Sequence, residues 1–282
     1  MTATDRLGVP KTLKLYLDGA FVRSESGRTS VHVAADGSSF RVARGSRKDV
    51  RDAVRAARRA SAPWATRDAY QRGQILYRVA EIMESRRVAL VAEVASAGRR
   101  TASGPDADVD AAIDCWVHYA GWTDKLAHVA GGMNPVAGAF FNVSIPEPVG
   151  VVGIVAPAAP GLAGLVARLA PALCGGNVIV AIASQTAPAT AVALAECLAV
   201  ADVAPGVVNV LTGTQDELVP ALAAHLDIDA LDLTGASDDV IGPAETACAE
   251  GVTRVVGRHP IKGLEAVTAL LEIKTVWHPK GR

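Results

Sequence analysis

Val149-Gly150-Val151-Val152-Gly153-Ile154-Val155 is an unbroken apolar run, and the pattern that follows it decides the fold. Residues 162–173 keep helical spacing and stop at Gly175-Gly176. Residues 177–183 form a second apolar run, and residues 187–200 are helical again. Pro205-Gly206 turns the chain into an extended piece at 207–211. Then come a helical pattern at 215–225, an extended piece at 228–233, a helical pattern at 237–250 with Ser237 as its cap, and a last extended piece at 253–256. Glycine at the end of a helical pattern supplies the left-handed stop, and apolar runs without alternation suit strands buried on both faces. The alternation predicts an α/β fold: an open five-stranded parallel sheet with helices on both faces. Ligands of such sheets bind at the carboxyl ends of the strands.

The front of the chain is different. Alternating apolar residues around Asp18-Gly19 predict a hairpin at 15–22, and residues 30–33 are extended. Ser46 is placed to cap a helix running to about residue 60, with Val50, Val54 and Ala57 on one face. A longer helical stretch covers about 67–97, carrying Ile75, Leu76, Val79, Ile82 and Met83. Another covers about 106–127; Asp106, Asp108 and Asp110 suit the positive end of its dipole, and Val109, Ile113, Trp116 and Tyr119 form its buried stripe. Residues 137–146 are β-like, with Phe140, Phe141, Val143 and Ile145. A Pro/Gly-marked connection at 259–263 leads to a final β-like piece at 270–277.

Composition narrows the function classes. Hydrophobic residues make up 50% of the 282 and aromatics 4%, so Ala, Val, Leu and Ile must build the core, which is large enough to fold alone. Lys plus Arg number 28 and Asp plus Glu 29, a net charge of -1. That balance argues against nucleic acid or an anionic membrane as the main partner. Residues 149–167 are uncharged over a length suited to a membrane span; Pro157, Pro160, Gly161 and Gly164 make them a strand, a turn and a helix start instead. Cys115, Cys174, Cys197 and Cys248 lie in apolar helical contexts without a CxxC pair, so they read as reduced packing residues. Residues 1–10 lack the apolar run of a signal peptide, and the expected location is cytoplasmic.

Several phrases resemble one family. Glu147-Pro148-Val149-Gly150-Val151-Val152-Gly153-Ile154 is similar to the strand leading into the active site of aldehyde dehydrogenases. Leu169-Ala170-Pro171-Ala172-Leu173 with Gly176-Asn177, then Pro205-Gly206-Val207-Val208-Asn209-Val210 with Thr212-Gly213, then Leu233-Thr234-Gly235 follow in that family's order. Tyr16-Leu17-Asp18-Gly19 and Pro63-Trp64 fit its N-terminal segment more loosely. Leu264-Glu265-Ala266 and Ile273-Lys274-Thr275-Val276-Trp277 resemble its extreme C-terminus. The resemblance implies a Rossmann-like nucleotide-binding domain over about 1–258, with an N-terminal helical segment. It also implies a protruding β hairpin for oligomerisation at about 131–146, and a linker and C-terminal oligomerisation strand at 259–282. Full-length members are much longer, so it further implies that a catalytic block is absent between Val256 and Leu264.

The family's chemistry needs a thiolate nucleophile, an oxyanion donor, a carboxylate base and a bound dinucleotide. None of the four cysteines matches the nucleophile, and at the base position the chain reads Gly257-Arg258-His259; no catalytic residue is expected. The oxyanion asparagine falls on Ala159. The lysine and glutamate that hold the adenosine ribose fall on Ala181 and Ser184, a loss of roughly 1.5–3 kcal/mol for each charged hydrogen bond. In the phosphate loop Thr234-Gly235-Ala236-Ser237-Asp238-Asp239-Val240, the family's serine has become Ala236 and its later glycine Val240. Asp238 and Asp239 place negative charge where a phosphate would approach. Gly213 and Gly235 persist. No cofactor is expected, and NAD or NADP is disfavoured. The resemblance and the departures together imply a catalytically inactive pseudoenzyme, a structural or regulatory subunit that pairs with itself or with a full-length aldehyde dehydrogenase. Phe140, Phe141, Val143, Ile273, Thr275 and Trp277 are the expected contacts. Two readings stand beside it: an NAD(P)-dependent aldehyde oxidoreductase component with residual nucleotide binding, and a module for an unrelated small ligand in the vacated groove, where no charged or aromatic cluster names one.

Overall fold

The computed structural model describes residues 11–98, 104–159, 161–256 and 262–281. The chain enters through β1 (Thr12–Leu13) and a hairpin, β2 (Leu15–Leu17) and β3 (Ala20–Val22). At the hairpin tip Asp18 and Gly19 both have positive φ, 50° and 77°, the turn backbone whose twist matches paired strands. β4 (Thr29–Val33) and β5 (Ser39–Ala43) then pair and, with β1, form a small sheet of order β1-β5-β4; β5 has no counterpart in the sequence expectation.

Four helices and a short turn follow. α1 (Arg47–Ala65) starts at Ser46 in a reciprocal capping box with Asp49, which satisfies two otherwise unpaired amides. The predicted 67–97 helix is two helices, α2 (Ala69–Ser85) and α3 (Arg87–Ser96), separated at Arg86, which leaves helical geometry. The predicted 106–127 helix likewise ends early: α4 (Gly104–Ala120) stops before Gly121, and a single turn, α5 (Leu126–Val129), comes later. β6 (Gly132–Met133) and β7 (Phe140–Pro148) lead to the main sheet.

There the predicted alternation appears: β8 (Val151–Val155), α6 (Gly161–Cys174), β9 (Val178–Ile182), α7 (Pro188–Leu198), β10 (Val208–Leu211), α8 (Gln215–Ala223), β11 (Ala230–Asp232), α9 (Asp238–Gly251) and β12 (Arg254–Val256). These five strands are parallel, in the order β12-β11-β8-β9-β10. The N-terminal hairpin adds two antiparallel strands at the β10 edge, pairing Tyr16 with Val210, so the sheet is seven strands wide. Every residue of β8, β9, β10 and β11 is buried, because helices cover both faces. α6 and α7 lie on one face, with α2, α3 and α4 packed outside them; α1 and α8 lie on the other. Among the described residues no helix is long and apolar enough to cross a membrane.

The tail is fastened to this domain. α10 (Gly263–Thr268) and β13 (Leu271–Pro279) close the chain. Asn177, fully buried, accepts the Gly150 N–H on Oδ1 at 2.9 Å and donates from Nδ2 to Leu270 O at 3.0 Å and Ala172 O at 3.2 Å. Arg254 Nη1 donates to Ala269 O and Leu271 O, and Tyr119 Oη to Gly263 O. β13 then runs antiparallel to β7 from Leu271 opposite Pro148 to Pro279 opposite Phe140, and β6 pairs with the other edge of β7.

Candidate functional site

The order of the parallel strands reverses at β8. The chain moves from β8 through β9 to β10 on one side, then returns to lay β11 and β12 on the other. Ligands of doubly wound sheets occupy the crevice beside the carboxyl ends of the strands at such a reversal. Here that crevice lies between residues 156–159 after β8 and residues 233–237 after β11.

The candidate residues lie at or just beyond the carboxyl ends of the parallel strands, and the polar groups of several of them are engaged inside the protein. Gly235 donates its N–H to Val155 O at 3.1 Å, and Ala236 donates to Leu233 O at 3.0 Å. Gly235 lies so close to the preceding loop that a side chain there would sit 2.2 Å from the Ala156 carbonyl; the glycine is needed for backbone packing irrespective of any ligand. Gln215, at the start of α8, spans the loop with its amide. Nε2 donates to Gly235 O and Oε1 accepts the Ser237 N–H, both at 2.8 Å. Ser237 holds the N-cap position of α9, but its own side chain makes no capping bond. The nearby Asp232 accepts the Thr234 N–H at 2.8 Å and faces Arg168 at 3.8 Å inside the protein; burial pushes the Asp232 carboxyl up.

On the opposite wall, Ala181 is fully buried within β9 and offers nothing to a ribose. Ser184 Oγ is paired with Thr186 Oγ1 at 3.0 Å and accepts the Thr186 N–H, so it closes its own turn. Gly213, at φ 154°, packs against Leu218 and Gly45. The amino end of α6, directly after Ala159, is occupied as well: Asp108 of α4 accepts the Ala163 N–H at 2.7 Å and the Leu162 N–H at 3.4 Å. Sequence reading gave Asp108 to the dipole of its own helix; the fold uses it as a remote cap for another, because α4 packs across α6. Neither this role nor that of Gln215 follows from local pattern.

No activated thiol is present among the described residues. Burial pushes the thiols of Cys115 and Cys174 up to about 12 and that of Cys197 up to about 11; Cys248 is shifted upward too. A nucleophilic cysteine requires the reverse shift. The Gly257-Arg258-His259 stretch lies outside the described residues, and among those described no cluster of His, Cys, Asp and Glu has metal-binding geometry.

A family profile described as "Aldehyde dehydrogenase family" matches residues 21–256. The chain belongs to the aldehyde dehydrogenase family. It is 33% identical over 231 residues to cytosolic aldehyde dehydrogenase 1 of Elephantulus edwardii, covering 80% of this chain and 46% of that one. It is 37% identical over 201 residues to the human mitochondrial enzyme, covering 70% and 38%. The Bacillus cereus aldehyde dehydrogenase solved with NAD+ superposes with a TM-score of 0.80 at 28% identity, over 87% of this chain and 50% of that one. The chain thus spans about half the length of the curated relatives it matches. Within this aldehyde dehydrogenase fold, the six expected contacts of the small sheet divide between two faces. Directly paired residues share a face, so Phe140, Ile273, Thr275 and Trp277 lie on one, and Phe141 and Val143 on the other. Phe140 and Trp277 meet edge to face with ring centroids 5.8 Å apart.

Proposed function

We propose that this aldehyde dehydrogenase-family chain is a non-catalytic assembly subunit whose nucleotide-binding fold serves as a scaffold and holds no dinucleotide. The observation that carries the reading is the Gln215 amide, which occupies both the Ser237 donor and the Gly235 acceptor at the strand reversal. A phosphate at that place depends on loop and helix-start amides aimed outward, and here Gly235, Ala236 and Ser237 are all engaged inside the protein. NAD therefore does not fit the residues present: the ribose positions Ala181 and Ser184 are buried or self-paired, and Asp238 and Asp239 stand in the first turn of α9. The small sheet supports the assembly half of the proposal. It exposes Phe140, Phe141, Ile145, Ile273, Val276 and Trp277, and apolar side chains on both faces of a thin sheet call for a covering partner. That partner is a second copy or a full-length aldehyde dehydrogenase.

Two measurements test this. Calorimetric titration of the full chain with NAD and with NADP is expected to give no saturable heat; micromolar binding would instead favour an oxidoreductase component with residual nucleotide binding. Light scattering after size exclusion, alone and mixed with a full-length aldehyde dehydrogenase, is expected to show a complex. A monomer under both conditions removes the assembly reading.

A further inference from the structure

The outer edge of β13 has a geometry that selects one partner. Among the described residues β13 is the edge of its sheet, with β7 as its neighbour on one side only. Lys280 donates its N–H to Ala139 O at 2.8 Å at one end of the ladder, and Leu270 O accepts the Val149 N–H at 3.2 Å at the other. Both are even-numbered positions, and hydrogen-bonded pairs of an antiparallel ladder recur at every second residue. Glu272, Lys274, Val276 and His278 therefore turn their amides towards β7, while Ile273, Thr275 and Trp277 turn theirs outward. Those three form an open donor-acceptor row, the arrangement that recruits another strand.

We infer that this edge pairs with β13 of a second copy, antiparallel, about a two-fold axis through Thr275. The inference rests on the assembly reading and deepens it by naming the surface and the occupant. The outward row is symmetric about Thr275, so the axis sets Thr275 against itself and Ile273 against the second copy's Trp277, all as hydrogen-bonded pairs. Ile273 and Trp277 are 51% and 57% exposed and lie on the face that carries Phe140. Pairing merges these apolar groups across the junction, the kind of cross-strand contact that stabilises sheets. On the other face the same register puts Glu272 opposite His278 and Lys274 opposite Val276, with no like charges directly opposite one another. Neighbouring registers are worse. An axis at Lys274 sets lysine on lysine, and one at Val276 sets Lys274 on His278. One at Trp277 brings Pro279, which has no N–H to give, against Thr275 beside the axis, whereas the Thr275 axis leaves it at the ladder's end opposite Leu271; one at Ile273 pairs Glu272 with Lys274 but shortens the shared ladder to residues 271–275 and leaves Trp277 outside it. An interface of this kind is self-complementary and closes at two subunits.

The test is Thr275→Pro in the full chain. It removes an outward N–H at the axis and leaves the inward ladder to β7 intact, a placement that edge strands tolerate. By sedimentation velocity the parent chain is expected to be a dimer, and the variant is expected to self-associate at least about tenfold more weakly with an unchanged circular dichroism spectrum. Thr275→Cys is the second variant: mild oxidation is expected to link two chains through the introduced thiol, since Cys174, Cys197 and Cys248 are buried and Cys115 is half-buried. An oligomer that keeps its size with Thr275→Pro, or a Thr275→Cys chain that does not cross-link, overturns the β13 interface and leaves the assembly reading standing. Association with a full-length aldehyde dehydrogenase but not with itself also overturns self-pairing alone. A monomer in every mixture overturns both.

Discussion

Replacing Asn177 with alanine tests how the C-terminal segment is joined to the sheet. In the native structure one buried amide serves three places: the entry to β8, the end of α6 and the start of the tail. The losses are unequal. Leu270 O keeps the Val149 N–H and Ala172 O keeps the Asn177 backbone N–H, so each of those acceptors forfeits one bond of two, worth about 0.5–1.5 kcal/mol. Gly150 N–H loses its side-chain acceptor in a buried setting, at roughly 1–3 kcal/mol. The expected destabilisation is about 3 kcal/mol in urea unfolding. With roughly 2.1 cal/mol/K of unfolding entropy per residue over 282 residues, Tm falls by about 5 °C. Native-state hydrogen exchange should accelerate first at residues 149–150 and 270–271. Asn177→Asp keeps an acceptor for Gly150 but no donor for the two carbonyls; it should be no better than alanine at neutral pH and should recover on acidification, when its carboxyl can donate. A loss below about 1 kcal/mol, or unchanged exchange at the tail, would refute the reasoning.

Other outcomes follow from single features. Val252 sits at φ 56° after α9, where Thr253 N–H returns to Cys248 O and Val252 N–H to Ala249 O; this is a glycine stop occupied by a β-branched residue. Val252→Gly should add about 1 kcal/mol of stability, the left-handed penalty less the entropy of glycine, whereas Val252→Ala should add little. Gln215→Ala should cost about 1–3 kcal/mol in urea unfolding by stranding the Ser237 N–H and the Gly235 carbonyl; an unchanged midpoint would show that the clamp is not held in solution. The buried thiols give an alkaline signature: their folded pKa values, about 11 to about 12, lie above the ordinary 9.0. The unfolded chain then loses these protons first, so stability is full below pH 9 and declines as pH rises towards 12. Cys115→Ala should flatten that decline in a series of urea midpoints, and an identical slope would assign it to other groups.

How much of this was legible in the sequence differs by element. The core alternation from β8 to β12 was readable because its signals are local: apolar runs of strand length, helical spacing between them, and glycine stops such as Gly175-Gly176. The Asp18-Gly19 turn and the Ser46 cap were readable for the same reason: positive φ at the turn suits few residue types, and the cap needs a short side chain whose oxygen accepts the Asp49 N–H. Arg86 gave no warning, because the break between α2 and α3 carries neither glycine nor proline. The altered groove positions Ala159, Ala181, Ser184 and Ala236 were visible as changes of residue type. The contacts that occupy the neighbouring amides were not, because Gln215 reaches Gly235 and Ser237 across 20 and 22 residues of chain, and Asp108 reaches α6 across 54 and 55.

The sequence by itself determined the kind of fold, the family likeness and the residue types at the groove, since each of these lies in contiguous pattern. Tertiary structure alone decided that the N-terminal hairpin widens the sheet and that Asn177 fastens the tail. It also set the six candidate contact residues on two faces and turned Ile273, Thr275 and Trp277 to the open edge. The physical reason is register: a strand's face and its free amides are set by which residue it stands opposite, and that is a relation between distant segments, absent from either one.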